Sequence, residues 1–267
     1  LLLGDAVRAL LRPTAITFNA GITACAEGGR WALALHLLRQ LRRGALVPSA
    51  ASHNAAITAC ERSAQWARAL WLLGAMGPGL VRPDVVSCNA ATSACEKAAR
   101  WRWALHLLGQ AAWLHVRADA VSHNAALSAC VRGTRWQAAL AVFREARRCA
   151  VELTTVSYNA AIAALAKGAG WQPAVALVQE MWLQHRLEPD VVSFNAAAVA
   201  CERGERWAMA LRWLAEGLLG RRLRPDAASL NVMLGACALG RAWLRALALL
   251  RGARRASLRP GGSSLDV

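Results

Sequence analysis

The sequence predicts an all-α fold, a right-handed α-solenoid superhelix of helix-turn-helix repeats, and three observations carry that expectation. Asparagine recurs at Asn19, Asn54, Asn89, Asn124, Asn159, Asn195 and Asn231, in four steps of 35 residues and then two of 36. Tryptophan keeps the same step at Trp31, Trp66, Trp101, Trp136, Trp171, Trp207 and Trp243. After each tryptophan, apolar residues fall mainly at i+3, i+4, i+6 and i+7, the stripe of an amphipathic helix. A period of this length marks stacked repeats that bury their apolar faces against neighbours.

With the asparagine as fifth place, the units are 15–49, 50–84, 85–119, 120–154, 155–190, 191–226 and 227–261. Residues 1–14 read as the second half of a preceding unit, its helix B, and 262–267 as a short tail. No linker or second domain is visible. The chain opens on Leu1, so a fragment or processed form is expected.

Within a unit, the third place is always Ser or Thr (Thr17, Ser52, Ser87, Ser122, Ser157, Ser193, Ser229) and reads as the N-cap of helix A. Helix A continues through small residues, as in AAITAC (55–60), which permit close helix packing. Gly28, Gly29, Gly133, Gly168, Gly204 and Gly240 mark the turn that follows. Helix B opens with the tryptophan, whose place in the apolar stripe assigns it to the core. Pro173 falls in the first turn of its helix, where proline is tolerated. Five units end in proline and a small residue, as in VRPD (81–84).

The chain carries 32 basic and 16 acidic residues, a net +16, and 30 of the basic residues are arginine. Coding bias accounts for the arginine preference as well as selection does. The charge itself suits a polyanionic partner. Six of eight cysteines (Cys25, Cys60, Cys95, Cys130, Cys201, Cys237) share the eleventh place, where the fifth unit has Leu165. A place that accepts leucine is apolar packing, and ligands one repeat apart do not converge on one metal. Neither metal nor cofactor is expected. Uncharged apolar runs fall short of a membrane span, so no membrane partner is expected. His53 and His123 share the fourth place and read as packing residues. No paired-carboxylate cluster, Gly-rich phosphate loop or Ser-His-Asp order stands out, so no enzyme is read here.

These units, with a VVSxNAAxxAC-like opening and a frequent Pro-Asp ending, resemble pentatricopeptide repeats of the plain P type, along the whole chain. The tryptophan at place 17 is more similar to algal organellar members. The Trp-Leu-Gly-Tyr pattern of tetratricopeptide repeats is missing. The resemblance implies single-stranded RNA as partner, in a chloroplast or mitochondrion, with one base per repeat read by the fifth and last residues. The implied pairs are Asn19 with Ser49, Asn54 with Asp84, Asn89 with Asp119, Asn124 with Thr154, Asn159 with Asp190, Asn195 with Asp226, and Asn231 with Gly261. An amide offers both donor and acceptor, so Asn meets either pyrimidine, and the last residue breaks the tie. By resemblance, Asn with Asp favours U and Asn with Ser favours C, which gives C-U-U-Y-U-U-N from the 5′ end. The last place also consists of helix-capping residue types, and base reading is preferred because the third-place Ser or Thr can serve as the cap.

The resemblance further implies that the second place wedges between bases, at Ile16, Val86, Val121, Val156 and Val192, with the smaller Ala51 and Ala228 in two units. It places Arg62, Lys97, Arg132, Lys167 and Arg203, at place 13, near the phosphates. RNA processing, stability, editing or translation would follow. Two other classes stay open: a protein-binding helical scaffold, and a structural RNA-binding subunit of an organellar ribosome. Organellar RNA-processing or ribosomal proteins are the protein partners these readings imply.

Overall fold

A computed structural model describes residues 14–76, 81–111, 116–168, 170–183, 187–219 and 223–255, and the expected preceding half-unit and tail lie almost wholly outside them. Among the described residues there are fourteen α-helices and no strand. Helix A of the successive repeats is α1 (Ala15–Glu27), α3 (Ala50–Arg62), α5 (Val85–Lys97), α7 (Ala120–Arg132), α9 (Thr155–Lys167), α11 (Val191–Arg203) and α13 (Ala227–Leu239). Helix B is α2 (Trp31–Arg43), α4 (Trp66–Met76), α6 (Trp101–Ala111), α8 (Trp136–Arg148), α10 (Trp171–Leu183), α12 (Trp207–Leu214) and α14 (Trp243–Arg255). A π-helical turn, Ala215–Leu219, continues α12.

The chain divides into two compact units, Leu1–Gly133 and Thr134–Val267. In the first, α1, α3, α5 and α7 pack in succession, and each helix B sits between its own helix A and the next one. The second repeats this arrangement with α9, α11 and α13. Within each unit the helices A therefore form one layer and the helices B another.

Each helix A begins one residue after the last place of the preceding unit, and this corrects the capping expectation. Ser49, Asp84, Asp119, Asp190 and Asp226 are the N-caps, each with extended backbone and a side chain that accepts the N–H three residues on. The Ser87 N–H reaches Asp84 Oδ1 at 2.8 Å, and the Asp84 N–H reaches Ser87 Oγ at 2.9 Å. The third-place serine is thus the N3 partner of a capping box, and it satisfies a second orphan donor.

The glycines named from the sequence do lie in the turn after helix A, and Gly29 is left-handed there with φ 64°. Gly133, Gly168, Gly204 and Gly240 hold ordinary φ values between −77° and −97°. The left-handed residue follows them and is Thr134, Glu205 or Arg241 in three repeats, as it is Ala64 and Ala99 in two others. At these four glycines a side chain would also lack space, although Ser63 and Ala98 stand at the same place in the second and third repeats. A Cβ at Gly168 would lie 2.4 Å from Trp136 Cδ1, and one at Gly240 2.4 Å from Trp207 Cδ2. The tryptophan of one repeat therefore fills the gap under the A–B turn of the next.

Those tryptophans are half-buried at the edge of the core, and Trp243 is 65% exposed, so they are not its centre. The centre consists of small residues of helix A, such as Ala56, Ala59 and Cys60, with Ala69, Leu72 and Met76 from helix B. Arginines cover the outward indole faces, with the Arg68 guanidinium 3.7 Å above Trp31 and Arg206 5.5 Å above Trp171. Of the six eleventh-place cysteines, Cys25 is half-buried and the others are buried, and all eight thiols of the chain are free. Burial pushes the Cys95 thiol up to about 12, and the Cys60 thiol to about 11 against the opposing charge of Arg68. Such thiols are packing groups, poor as thiolates or ligands. No helix of the described residues is long and apolar enough to cross a membrane.

Candidate nucleic-acid interface

On an α-helix, places 2, 5, 9 and 13 fall within roughly one quarter of the circumference, because each step of three or four residues returns to one face. The candidate residues of a repeat therefore share a face of helix A.

The second-place residues stand out from it. Ile16, Val86, Val121, Val156 and Val192 are 56–78% exposed, and Ala51 and Ala228 are exposed as well. A β-branched aliphatic more than half exposed at the same place of five repeats leaves an apolar surface open to a partner.

One helical turn on, the seven asparagines are all half-buried. Four make the same contact with the last residue of their own unit. Asn54 Nδ2 donates to Asp84 Oδ2 at 3.0 Å, Asn89 to both oxygens of Asp119 at 3.2 Å, Asn159 to Asp190 Oδ1 at 3.1 Å, and Asn195 to Asp226 Oδ1 at 3.1 Å. A carboxylate only accepts, so the amide nitrogen must face it and the carbonyl oxygen must point away. The serine of the next capping box meets that oxygen at three junctions. Ser52 Oγ donates to Asn19 Oδ1 and Ser193 Oγ to Asn159 Oδ1, both at 2.6 Å, and Ser122 Oγ donates to Asn89 Oδ1.

The last-place residue thus holds a helix and an asparagine at once. Burial raises the carboxyls of Asp84, Asp119 and Asp226, but the bonds from the capping-box serines and the asparagine amides outweigh it, and all three end below the usual carboxylate range. They stay ionised acceptors at neutral pH. Thr154 occupies the same cap with a hydroxyl, its Oγ1 lying 3.3 Å from Ser157 Oγ. Gly261 lies outside the described residues.

The basic row is exposed throughout, though much of it is engaged. Arg62 donates to the Glu27 carbonyl oxygen at 2.8 Å, Lys97 pairs with Glu61 at 3.0 Å, and Arg132 pairs with Glu96 at 3.7 Å. Exposed pairs of this kind are worth at most about 1 kcal/mol each, so a phosphate can still compete for the cations. Arg203 has only the adjacent Glu202 as a charged neighbour among the described interactions. Lys167 is exposed at the same place.

Two histidines contribute more than packing. His53 and His123 are buried, and their Nδ1 atoms bond the backbone carbonyls of Ser49 and Asp119, at 3.0 and 2.9 Å. Arg42 lies 3.1 Å from His53 Nε2. Burial first, and the Arg42 charge with it, lowers the His53 pKa against the opposing Ser49 bond. The fourth-place histidines thus brace the cap residue from behind. No group of three or more His, Cys, Asp or Glu suited to a metal occurs among the described residues.

The serine-to-asparagine bond was not read from the sequence. Its one signal there is the unbroken Ser or Thr at place 3, which capping alone also accounts for.

No protein-family model matches the chain. No curated protein matches it either. Solved structures do. Maize pentatricopeptide repeat protein PPR10 matches with a TM-score of 0.51 and 18% identity over 97% of this chain and 46% of that one. PPR10 in complex with an 18-nt psaJ RNA element matches with a TM-score of 0.59 and 16% identity over 98% of this chain. The chain spans 43% of that protein. The pentatricopeptide domain of Arabidopsis thaliana protein-only RNase P 1, in complex with tRNA, matches with a TM-score of 0.57 and 16% identity over 66% of this chain and 91% of that domain. The chain has the fold of a pentatricopeptide repeat array.

Proposed function

We propose that this array is a sequence-selective binder of single-stranded RNA, one base per repeat, with no catalytic step of its own. The observation that carries the reading is the pairing of a half-buried asparagine amide with an ionised last-place carboxylate in four repeats, in three of them beside an exposed valine, Val86, Val156 or Val192. One N–H of the amide is held by the carboxylate, and the other can meet a base acceptor. The aliphatic side chain offers a flat ring an apolar wall. The similar PPR10 and RNase P structures hold RNA, which agrees with this use of the fold.

The preferred target is C-U-U-Y-U-U-N, 5′ to 3′. Its third and fifth bases face the pairs Asn89–Asp119 and Asn159–Asp190, and its first faces Asn19–Ser49. Binding would serve RNA processing, stability, editing or translation in a chloroplast or mitochondrion. Selection from a random single-stranded RNA pool at fixed salt tests this, and enrichment of a pyrimidine run with U at the second, third, fifth and sixth bases is expected. A flat base profile would refute the reading.

A protein-binding role has one observation in its favour: Trp71, Trp103 and Trp182 on the helix B layer are about half exposed. Large exposed aromatics are typical anchors for a protein partner. Both roles can coexist, because the RNA candidates lie on the helix A layer.

A further inference from the structure

We infer that the third-place serines Ser52, Ser122 and Ser193 are positioning residues for the asparagine of the repeat before them, fixing which edge of that carboxamide a base meets. The inference rests on the base-reading role proposed above and names a residue outside the fifth-and-last pair.

A carboxamide is nearly symmetric in shape and opposite in chemistry at its two ends, so its orientation decides whether it presents a donor or an acceptor. Orientation must come from fixed partners. In the fifth repeat two partners act: Asp190 takes an N–H of Asn159 at 3.1 Å, and Ser193 donates to its Oδ1 at 2.6 Å. Ser193 Oγ is farther from Asp190 Oδ1, at 2.9 Å, so its single hydrogen is better placed on the asparagine. In the first repeat only the serine acts among the described residues. Ser49 offers no carboxylate, its hydroxyl lies 3.1 Å from Ser52 Oγ, and the bond that orients Asn19 is Ser52 Oγ to Oδ1 at 2.6 Å. Ser52 is buried and held by the Ser49 N–H at 3.1 Å, so its hydroxyl is aimed in advance.

The second repeat supplies the contrast. Ser87 turns its hydroxyl to the Asp84 carbonyl oxygen at 2.8 Å, and Asn54 Oδ1 is left buried without a partner. Asn54 is oriented by Asp84 alone. The serines therefore rank in their hold on the preceding asparagine: among the described residues, Ser52 is the sole partner, Ser193 is one of two, and Ser87 makes no contact.

All three serines make the same capping-box bond from the N-cap N–H. A purely structural role thus predicts equal effects when each becomes alanine. The positioning role predicts a graded one. In the full chain, Ser52→Ala should cut the preference for C at the first base by about fivefold, the worth of one net hydrogen bond. Ser193→Ala should relax U at the fifth base by a smaller factor, and Ser87→Ala should leave the second base within about twofold. Ser52→Thr should restore the profile, since Thr17 already fills this place in the first repeat.

Base preference is read by competition binding of RNAs that differ at one position, with melting temperatures recorded alongside. Equal changes for the three alanines, or none, overturn the inference. Asn19→Ala separates the two levels. If it changes the first-base preference while Ser52→Ala does not, only the serine's role fails. If neither variant changes it, base reading at that repeat fails as well, and the inference with it.

Discussion

Replacing Asp84 and Asp119 together by serine tests the division of labour at the last place. Each aspartate accepts a bond from the asparagine of its own repeat, at 3.0 and 3.2 Å, and caps the following helix through its Oδ1, at 2.8 and 2.9 Å. Serine retains the cap, as Ser49 shows by taking the Ser52 N–H at 3.3 Å. Ser and Asp are nearly equal N-caps, so the double variant should melt within a few degrees of the parent. What is lost at each repeat is an acceptor-only group beside the asparagine. If one net hydrogen bond of about 1 kcal/mol separates U from C at each base, the ratio of affinities shifts roughly fivefold per base. For two adjacent bases the factors multiply to about 30-fold. Fluorescence anisotropy with RNAs carrying U-U or C-C at the second and third bases measures that ratio. The ratio also cancels the general gain in affinity from removing two negative charges. An unchanged ratio with an unchanged melting temperature would refute base reading by the last place.

Three other outcomes follow from the geometry. Gly168→Ala drives a Cβ to within 2.7 Å of three Trp136 indole atoms and should cost about 1–3 kcal/mol, whereas Gly109→Ala meets nothing and should gain about 0.5–1 kcal/mol; equal urea midpoints would refute the space argument. Acid should weaken the fold in two stages. His53, lowered by burial, binds more protons unfolded, so stability falls as pH drops below about 6.5, and the lowered Asp84, Asp119 and Asp226 withdraw theirs as pH falls below about 3.9. His53→Leu should abolish the first stage in thermal melts across that range, since Leu230 fills the same place in the seventh repeat. Arg203→Gln should reduce the slope of log affinity against log salt by about 0.7, and Lys97→Gln by less, because Lys97 is already paired with Glu61. Equal slopes for the two variants would show that the ion pair does not matter.

The period made the fold legible, because a 35-residue repeat of small-residue and tryptophan-led segments admits few packings other than stacked helix pairs. The exposed second-place row was legible for the same reason, since a single place is sampled seven times. What escaped was directional. Ser87 and Asp84 are both capping types three residues apart, and composition does not say which of them begins the helix. Gly168 lies in the turn as its sequence suggests, but the Trp136 indole of the preceding repeat, which leaves no room for a Cβ there, comes alongside only in the stack. Partners 33 or 34 residues apart, such as Ser52 with Asn19 and Ser193 with Asn159, meet only after the repeats stack. Lys97 and Arg132 looked like a free row because Glu61 and Glu96, one repeat earlier, come alongside only in the stack.

If the last place reads a base, its capping duty limits what a repeat can say. A residue there must accept the N–H of N3 to begin the next helix, so its side chain must carry an oxygen close to the backbone. Asp, Asn, Ser and Thr meet that condition, and glycine comes near it by conformation. The six last-place residues described, from Ser49 to Asp226, all belong to the oxygen-bearing set. A base code built here is therefore short of letters for a stability reason before any question of recognition arises. Alanine, lysine or leucine would cost about 0.5–2 kcal/mol at every repeat that used it. A library randomised at residue 119 and sorted for protease resistance, with no RNA present, should return Asp, Ser, Thr, Asn and Gly. Recovery of alanine or lysine at comparable frequency would show that the cap is dispensable, and that the alphabet is set by the base alone.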